Sequence, residues 1–245
     1  MTGPPRRLLV SGGSRGLGLA FCRHHLERGD RVATFARSVT PELAALAAGS
    51  DGRLVCFELD LLDEGAPRRA VARALEALGG VDVLVNNVAV GQDSLFAHLP
   101  DEELERILSL NVVRTLQLTR HVVRAMVVAD RGGTILNVSS ICATRGYAGV
   151  SAYAASKGAL EAFTRSAAAE LAGHGIVVNC VAPGFFASDM TSLLSPARLE
   201  RIRRRVPTGA LTDGDQVVRA CDVLVEARAL NITGQVVTVD GGATI

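Results

Sequence analysis

Two side chains in this 245-residue chain have types and a spacing that suit proton transfer. They are Tyr153 and Lys157, within Ser151-Ala152-Tyr153-Ala154-Ala155-Ser156-Lys157. In a helix, side chains four residues apart share a face. A free phenol titrates near ~10 and is a poor acid–base catalyst at neutral pH. A nearby ammonium favours the phenolate and lowers that value. Such a phenol can give a proton to a developing alkoxide, or take one from an alcohol. Lys157 is the only lysine in the chain; every other basic residue among the 26 Lys and Arg is arginine. A generic surface charge could as well have been arginine. Taken alone, the pair also fits an exposed helix bearing an unrelated Tyr and Lys. The surrounding chain has to decide.

Other residues carry compatible chemistry. Ser140 ends the stretch Asn137-Val138-Ser139-Ser140, thirteen residues before Tyr153. A strand end and the following helix can bring the two hydroxyls to one substrate oxygen. Near the N-terminus, Ser11-Gly12-Gly13-Ser14-Arg15-Gly16-Leu17-Gly18 sits between an apolar strand and a helical pattern. Glycines there permit a tight turn and let backbone N–H groups reach a pyrophosphate at the helix start. An ordinary glycine-rich turn is the plainer alternative. About 20 residues on, a site for NAD would place Asp or Glu on the ribose 2′-hydroxyl. This chain has Ala36-Arg37-Ser38 instead, and Arg37, with Arg15, suits a 2′-phosphate. The expected cofactor is NADPH/NADP+. Asp60, in Leu59-Asp60-Leu61, is placed near the adenine or at a helix N-cap. Asn86-Asn87-Val88-Ala89 closes a later turn. Asn111, inside an apolar helical stretch, is either exposed or held by a partner.

The elements that must position these groups are legible from periodicity. Leu8–Val10, Arg31–Ala36, Leu54–Phe57, Val81–Val85, Thr134–Val138, Ile176–Val181 and Val236–Val239 read as strands. They are continuous Val/Ile/Leu runs, as expected for parallel strands covered on both faces. Helical patterns lie near 17–28, 41–48, 64–78, 101–129, 151–172 and 214–227. This alternation predicts an α/β fold with a Rossmann-like, doubly wound parallel sheet of seven strands. Residues 1–245 are expected to form one domain. The irregular stretch 183–212 is expected to be a substrate lid. It opens with Pro183-Gly184-Phe185-Phe186-Ala187-Ser188.

Composition excludes several classes. Hydrophobic content is 48% and charged content 21%, which suits a large core and argues against disorder. The formal net charge of +1 points to neither nucleic acid nor an anionic membrane. The cysteines Cys22, Cys56, Cys142, Cys180 and Cys221 are scattered, so neither a metal site nor a disulfide framework is expected. No uncharged apolar run reaches ~18 residues, and no signal-peptide pattern is visible. A cytoplasmic location is expected.

The ordered set of motifs from Arg6 to Gly242 resembles the short-chain dehydrogenase/reductase family, most closely its 3-oxoacyl-(acyl-carrier-protein) reductase branch. The resemblance implies a catalytic set at Asn111, Ser140, Tyr153 and Lys157. It implies cofactor contacts at Gly12, Ser14, Arg15, Gly16, Leu17, Gly18, Arg37, Asp60, Leu61 and Asn87. Tyr153, Lys157, Pro183, Gly184, Phe186 and Ser188 complete that set. It further implies a ketone substrate, small or carried on an acyl carrier protein, and a homotetramer or homodimer. Where the family has Asn-Asn-Ala-Gly, this chain has Asn-Asn-Val-Ala. Val88 adds bulk beside the cofactor, and Ala89 gives up glycine's freedom at φ > 0. Arg198, Arg201, Arg203, Arg204 and Arg205 suggest a basic rim for an acidic carrier, opposed only by Glu200. A reductase of a free ketone, sugar or steroid is an alternative. A dinucleotide-binding regulator without turnover is another.

Overall fold

The computed structural model describes residues 5–185 and 196–245, with the side chains of 196–199 left aside. Seven strands form one parallel sheet in the order β3-β2-β1-β4-β5-β6-β7. They are β1 (Arg7–Ser11), β2 (Arg31–Ala36), β3 (Leu54–Glu58), β4 (Val83–Asn86), β5 (Gly133–Val138), β6 (Ile176–Pro183) and β7 (Val236–Val239). The helices are α1 (Gly16–Glu27), α2 (Pro41–Ala48), α3 (Ala66–Leu78), α4 (Asp101–Leu108) and α5 (Thr115–Ala129). They continue with α6 (Ser151–Leu171), α7 (Pro196–Arg203) and α8 (Gly214–Val225).

Alternate residues of each strand face opposite sides, so each strand feeds two cores. On one side Leu9, Ala33, Leu84 and Ile135 pack with Val71 of α3, Leu118 and Val122 of α5 and Ala168 of α6. On the other, Leu8, Val10, Val32, Val85 and Leu136 pack with Phe21 of α1 and with Val217 and Leu224 of α8. Both faces are covered, which explains why the strands read as continuous apolar runs.

Parallel pairing places the ends of β1, β4, β5 and β6 along one edge. β1 pairs with β2 on one side and β4 on the other, so the chain's direction of travel across the sheet reverses there. Open α/β sheets bind ligands in the crevice at such a reversal. A buried amide ladder stiffens this edge. Asn86 Nδ2 donates to Asn137 Oδ1 and to Thr119 Oγ1, both at 2.8 Å. Asn137 Nδ2 donates to Thr164 Oγ1 at 2.9 Å. The ladder fastens β4 and β5 to α5 and α6, because a buried amide must be hydrogen-bonded.

Two expectations about elements need correction. The helix expected over 101–129 is broken in character by a π-helical segment, Ser109–Arg114, between α4 and α5. The stretch expected to be irregular, 183–212, contains α7.

Candidate active site

The glycine turn follows β1 and opens α1. Gly12 and Gly16 have φ of 74° and 51°, values that favour glycine. The start of α1 has no side-chain cap and no acidic residue in its first turn. Its first amides are therefore suited to an anion. A Cβ on Gly16 would meet nothing within 4 Å, so the backbone is open on that side. A Cβ on Gly18 would collide with the Gly12 carbonyl and the Asn87 side chain. This open, close-packed cradle fits the pyrophosphate of a dinucleotide. Ser14 and Leu17 are buried, so they offer it backbone rather than side chain.

Asn87 acts here as a brace. Its Nδ2 donates to the carbonyls of Ser11 (3.0 Å) and Gly12 (3.1 Å). The Ser11 hydroxyl accepts from the amides of Asn87 and Val88 and donates to Val85 O. The shape of the turn after β1 is thus set by the end of β4. Ala89 is absent from the residues with positive φ, so replacing the family's glycine costs no strain here. Val88 packs against the core.

Arg37 is exposed, one residue past the end of β2. Glu58, paired with Ala36 across β2 and β3, uses one carboxylate oxygen to accept from the Val39 amide. Asp60 accepts from the Leu62 amide at 2.9 Å and closes a turn. It does not cap α3, whose N-cap is Gly65. Leu61 is buried in the core.

The residues expected to do chemistry come together where β5 meets α6. Ser140 follows β5, and its Oγ accepts from the Cys142 amide at 3.2 Å. It also lies close enough to Tyr153 to lower the pKa of that phenol. Lys157 is buried and donates from Nζ to Val138 O at 2.8 Å. Burial raises the Tyr153 pKa above that of an ordinary phenol. The Cys142 thiol adds to this, and the nearby Ser140 hydroxyl opposes it. Burial likewise lowers Lys157 to about 8. The expected depression of Tyr153 by Lys157 is not seen; burial sets the direction of the shift.

Asn111 is fully buried in the π-helical segment. Its Oδ1 accepts from Val90 N at 2.9 Å. Both amide hydrogens are used, one to Val90 O (2.9 Å) and one to Ser156 Oγ (3.0 Å). Beneath Lys157, Ser139 Oγ donates to the buried Glu161 at 2.8 Å. The sequence reading missed Ser139 and Glu161, although Glu161 follows Lys157 by four residues on the same helix.

Pro183 ends β6. The next residue, Gly184, lies so close to Asp240 that a Cβ would meet its backbone at 2.8 Å. The Thr212 amide donates to Phe185 O at 3.2 Å, which draws the two ends of the expected lid together. Phe186 and Ser188 lie outside the described residues. Phe185 stacks edge-on against Tyr147, ring centres 5.4 Å apart. In the basic stretch, Glu200 accepts from both Arg203 (2.8 Å) and Arg204 (3.1 Å).

Comparison with known proteins agrees with this fold. The family model described as short chain dehydrogenase matches residues 6–198. A 3-oxoacyl-[acyl-carrier-protein] reductase from Chlamydia pneumoniae is 33% identical, covering 98% of this chain and 97% of the relative. Nodulation protein G of Rhizobium meliloti is 34% identical over 97% of this chain and 96% of its own length. Carbonyl reductase family member 4 of Xenopus tropicalis is 36% identical, covering 95% of each. Among solved structures, a short-chain alcohol dehydrogenase-like protein of Sinorhizobium meliloti superposes with a TM-score of 0.91 at 31% identity. That match covers 99% of this chain and 97% of the other. The chain belongs to the short chain dehydrogenase family, oxidoreductases that interconvert CH–OH and C=O with a nicotinamide dinucleotide.

Proposed function

We propose that the protein reduces a ketone to a secondary alcohol with NADPH, and that the ketone is a β-ketoacyl thioester on an acyl carrier protein. The observation that carries the reaction is the meeting of Ser140, Tyr153 and the buried Lys157 where β5 gives way to α6, with the Lys157 ammonium 5.5 Å from the centre of the Tyr153 ring. Two hydroxyls near one strand end can both address one carbonyl oxygen. Tyr153 gives its proton to that oxygen as charge develops, and Ser140 donates a hydrogen bond to the same atom. A raised phenol pKa keeps Tyr153 protonated at neutral pH, the state a proton donor needs. The Lys157 ammonium stabilises the phenolate left behind. The Asn111 side chain is fully engaged with Val90 and Ser156, so its part is to hold the catalytic helix in place.

The cofactor supplies the hydride; the glycine cradle, Arg15 and Arg37 would hold it, Arg37 facing a 2′-phosphate. The carrier-bound substrate is supported by the names of several relatives and by the arginines around Arg203 and Arg204. The test is NADPH oxidation with a carrier-bound β-ketoacyl thioester beside a panel of free ketones. The expected result is a clear kcat/KM advantage for the thioester. Faster turnover of a free ketone, sugar or steroid would replace this substrate with that one.

A further inference from the structure

We propose that Gln92 is a positioning residue for Tyr153, gripping the start of the catalytic helix from the loop that follows β4. The proposal rests on the reading of Tyr153 as the proton donor.

α6 begins at Ser151, and the preceding residue, Val150, offers no side-chain cap. The first amides of a helix have no partner within it. Here the partner comes from 60 residues earlier in the chain. Gln92 Oε1 accepts from Ala152 N at 2.8 Å and from Tyr153 N at 3.3 Å. Gln92 Nε2 donates to Ser94 O at 2.9 Å, which keeps the carbonyl end of the amide turned to the helix.

The other backbone group of Tyr153 is held from the same loop. Val90 exchanges two hydrogen bonds with the Asn111 side chain. Asn111 donates to Ser156 Oγ at 3.0 Å, and Ser156 Oγ donates to Tyr153 O at 2.7 Å. The amide and the carbonyl of Tyr153 are thus both tied, one directly and one through two side chains, to residues 90 and 92. A phenol must meet its substrate oxygen within hydrogen-bond distance, and a shift of about 1 Å can cost roughly 10²-fold in rate. Gln92 removes one source of that shift. Its side chain is half-buried and outside the apolar core, so its removal acts on position more than on folding.

The test compares Gln92→Ala and Gln92→Glu in the full chain. Glutamate keeps oxygen acceptors at the same reach and loses only the donor to Ser94 O. Amide hydrogen exchange at Ala152 and Tyr153 reads the grip without turnover, so it stands even if the ketone reduction proposed above fails. Steady-state kinetics with NADPH and a β-ketoacyl thioester read the consequence. For Gln92→Ala the expected results are faster exchange confined to those two amides and a kcat lowered about tenfold. KM and NADPH affinity should stay within about twofold. Gln92→Glu restores slow exchange and most of kcat. The proposal is overturned if exchange is unchanged in Gln92→Ala, or if it quickens along the whole of α6. It is also overturned if the parent turns over and Gln92→Ala leaves kcat unchanged.

Discussion

The Lys157 ammonium lies 5.5 Å from the centre of the Tyr153 ring and donates its hydrogen bond elsewhere, to Val138 O at 2.8 Å. Its influence on the phenol is therefore electrostatic. Burial leaves Lys157 easily discharged, at about 8. The kcat/KM for reduction should be level near neutrality and fall as pH rises through about 8, since that ratio reports the free enzyme. A profile flat to pH 10 would show that the charge is not needed. Stability should move the other way. The folded value lies below the ordinary lysine value of 10.5, so the unfolded chain binds more protons between about 8 and 10.5. Stability rises with pH across that window, and the penalty is complete below it. Lys157→Met should therefore keep or raise Tm at pH 7 while abolishing most turnover.

Arg37 sets the second expectation. NADPH should be preferred to NADH in kcat/KM, because a 2′-phosphate gains a charge-assisted partner. Arg37→Asp should narrow or reverse the ratio. A parent enzyme that prefers NADH would contradict this.

At the opposite edge of the sheet, Asp30 joins three groups. It accepts from Arg6 N (3.0 Å), the Arg6 guanidinium (2.9 Å) and His25 Nδ1 (2.9 Å). Burial pushes the Asp30 pKa up, but bonds from His25 and Arg6 prevail and hold it at about 2. Burial lowers the His25 pKa against the pull of Asp30. Asp30 stabilises the fold above the ordinary aspartate value of 3.8, and that contribution is lost as pH falls toward 2. His25 costs stability as pH falls below 6.5, because the unfolded chain takes up its proton first. Asp30→Asn should lower stability by roughly 3 kcal/mol in denaturant titration at pH 7. NADPH affinity should be unchanged; loss of it at full folding would link this cluster to the site.

An apolar groove between α5 and α6 is lined by Val112, Val113, Leu116, Val123 and Phe163, with Arg120 and Glu170 beside them. A second copy of the chain would cover it, in keeping with the expected homotetramer. Light scattering should show an oligomer at micromolar concentration, and Phe163→Asp should reduce it to smaller species. A monomeric parent would contradict the assembly.

The strands were legible because burial on both faces leaves unbroken Val, Ile and Leu runs. Tyr153, Lys157 and Ser140 were legible because one local stretch carries them. The π-helical segment at Asn111 was not, since residue types in 101–129 suit an α-helix as well as a wider one. Gln92 was invisible for another reason. Its partners lie 60 and 61 residues away, and no local pattern reports such a contact. The direction of the Tyr153 shift was misjudged because spacing reports the neighbouring ammonium but not the burial.

The central claim is that Tyr153 is the proton donor, and Tyr153→Phe tests it most directly. The substitution removes only the hydroxyl that meets Ser140. The account predicts a kcat for ketone reduction lowered about 10²–10⁴-fold, with NADPH affinity retained. Turnover close to that of the parent enzyme would contradict it.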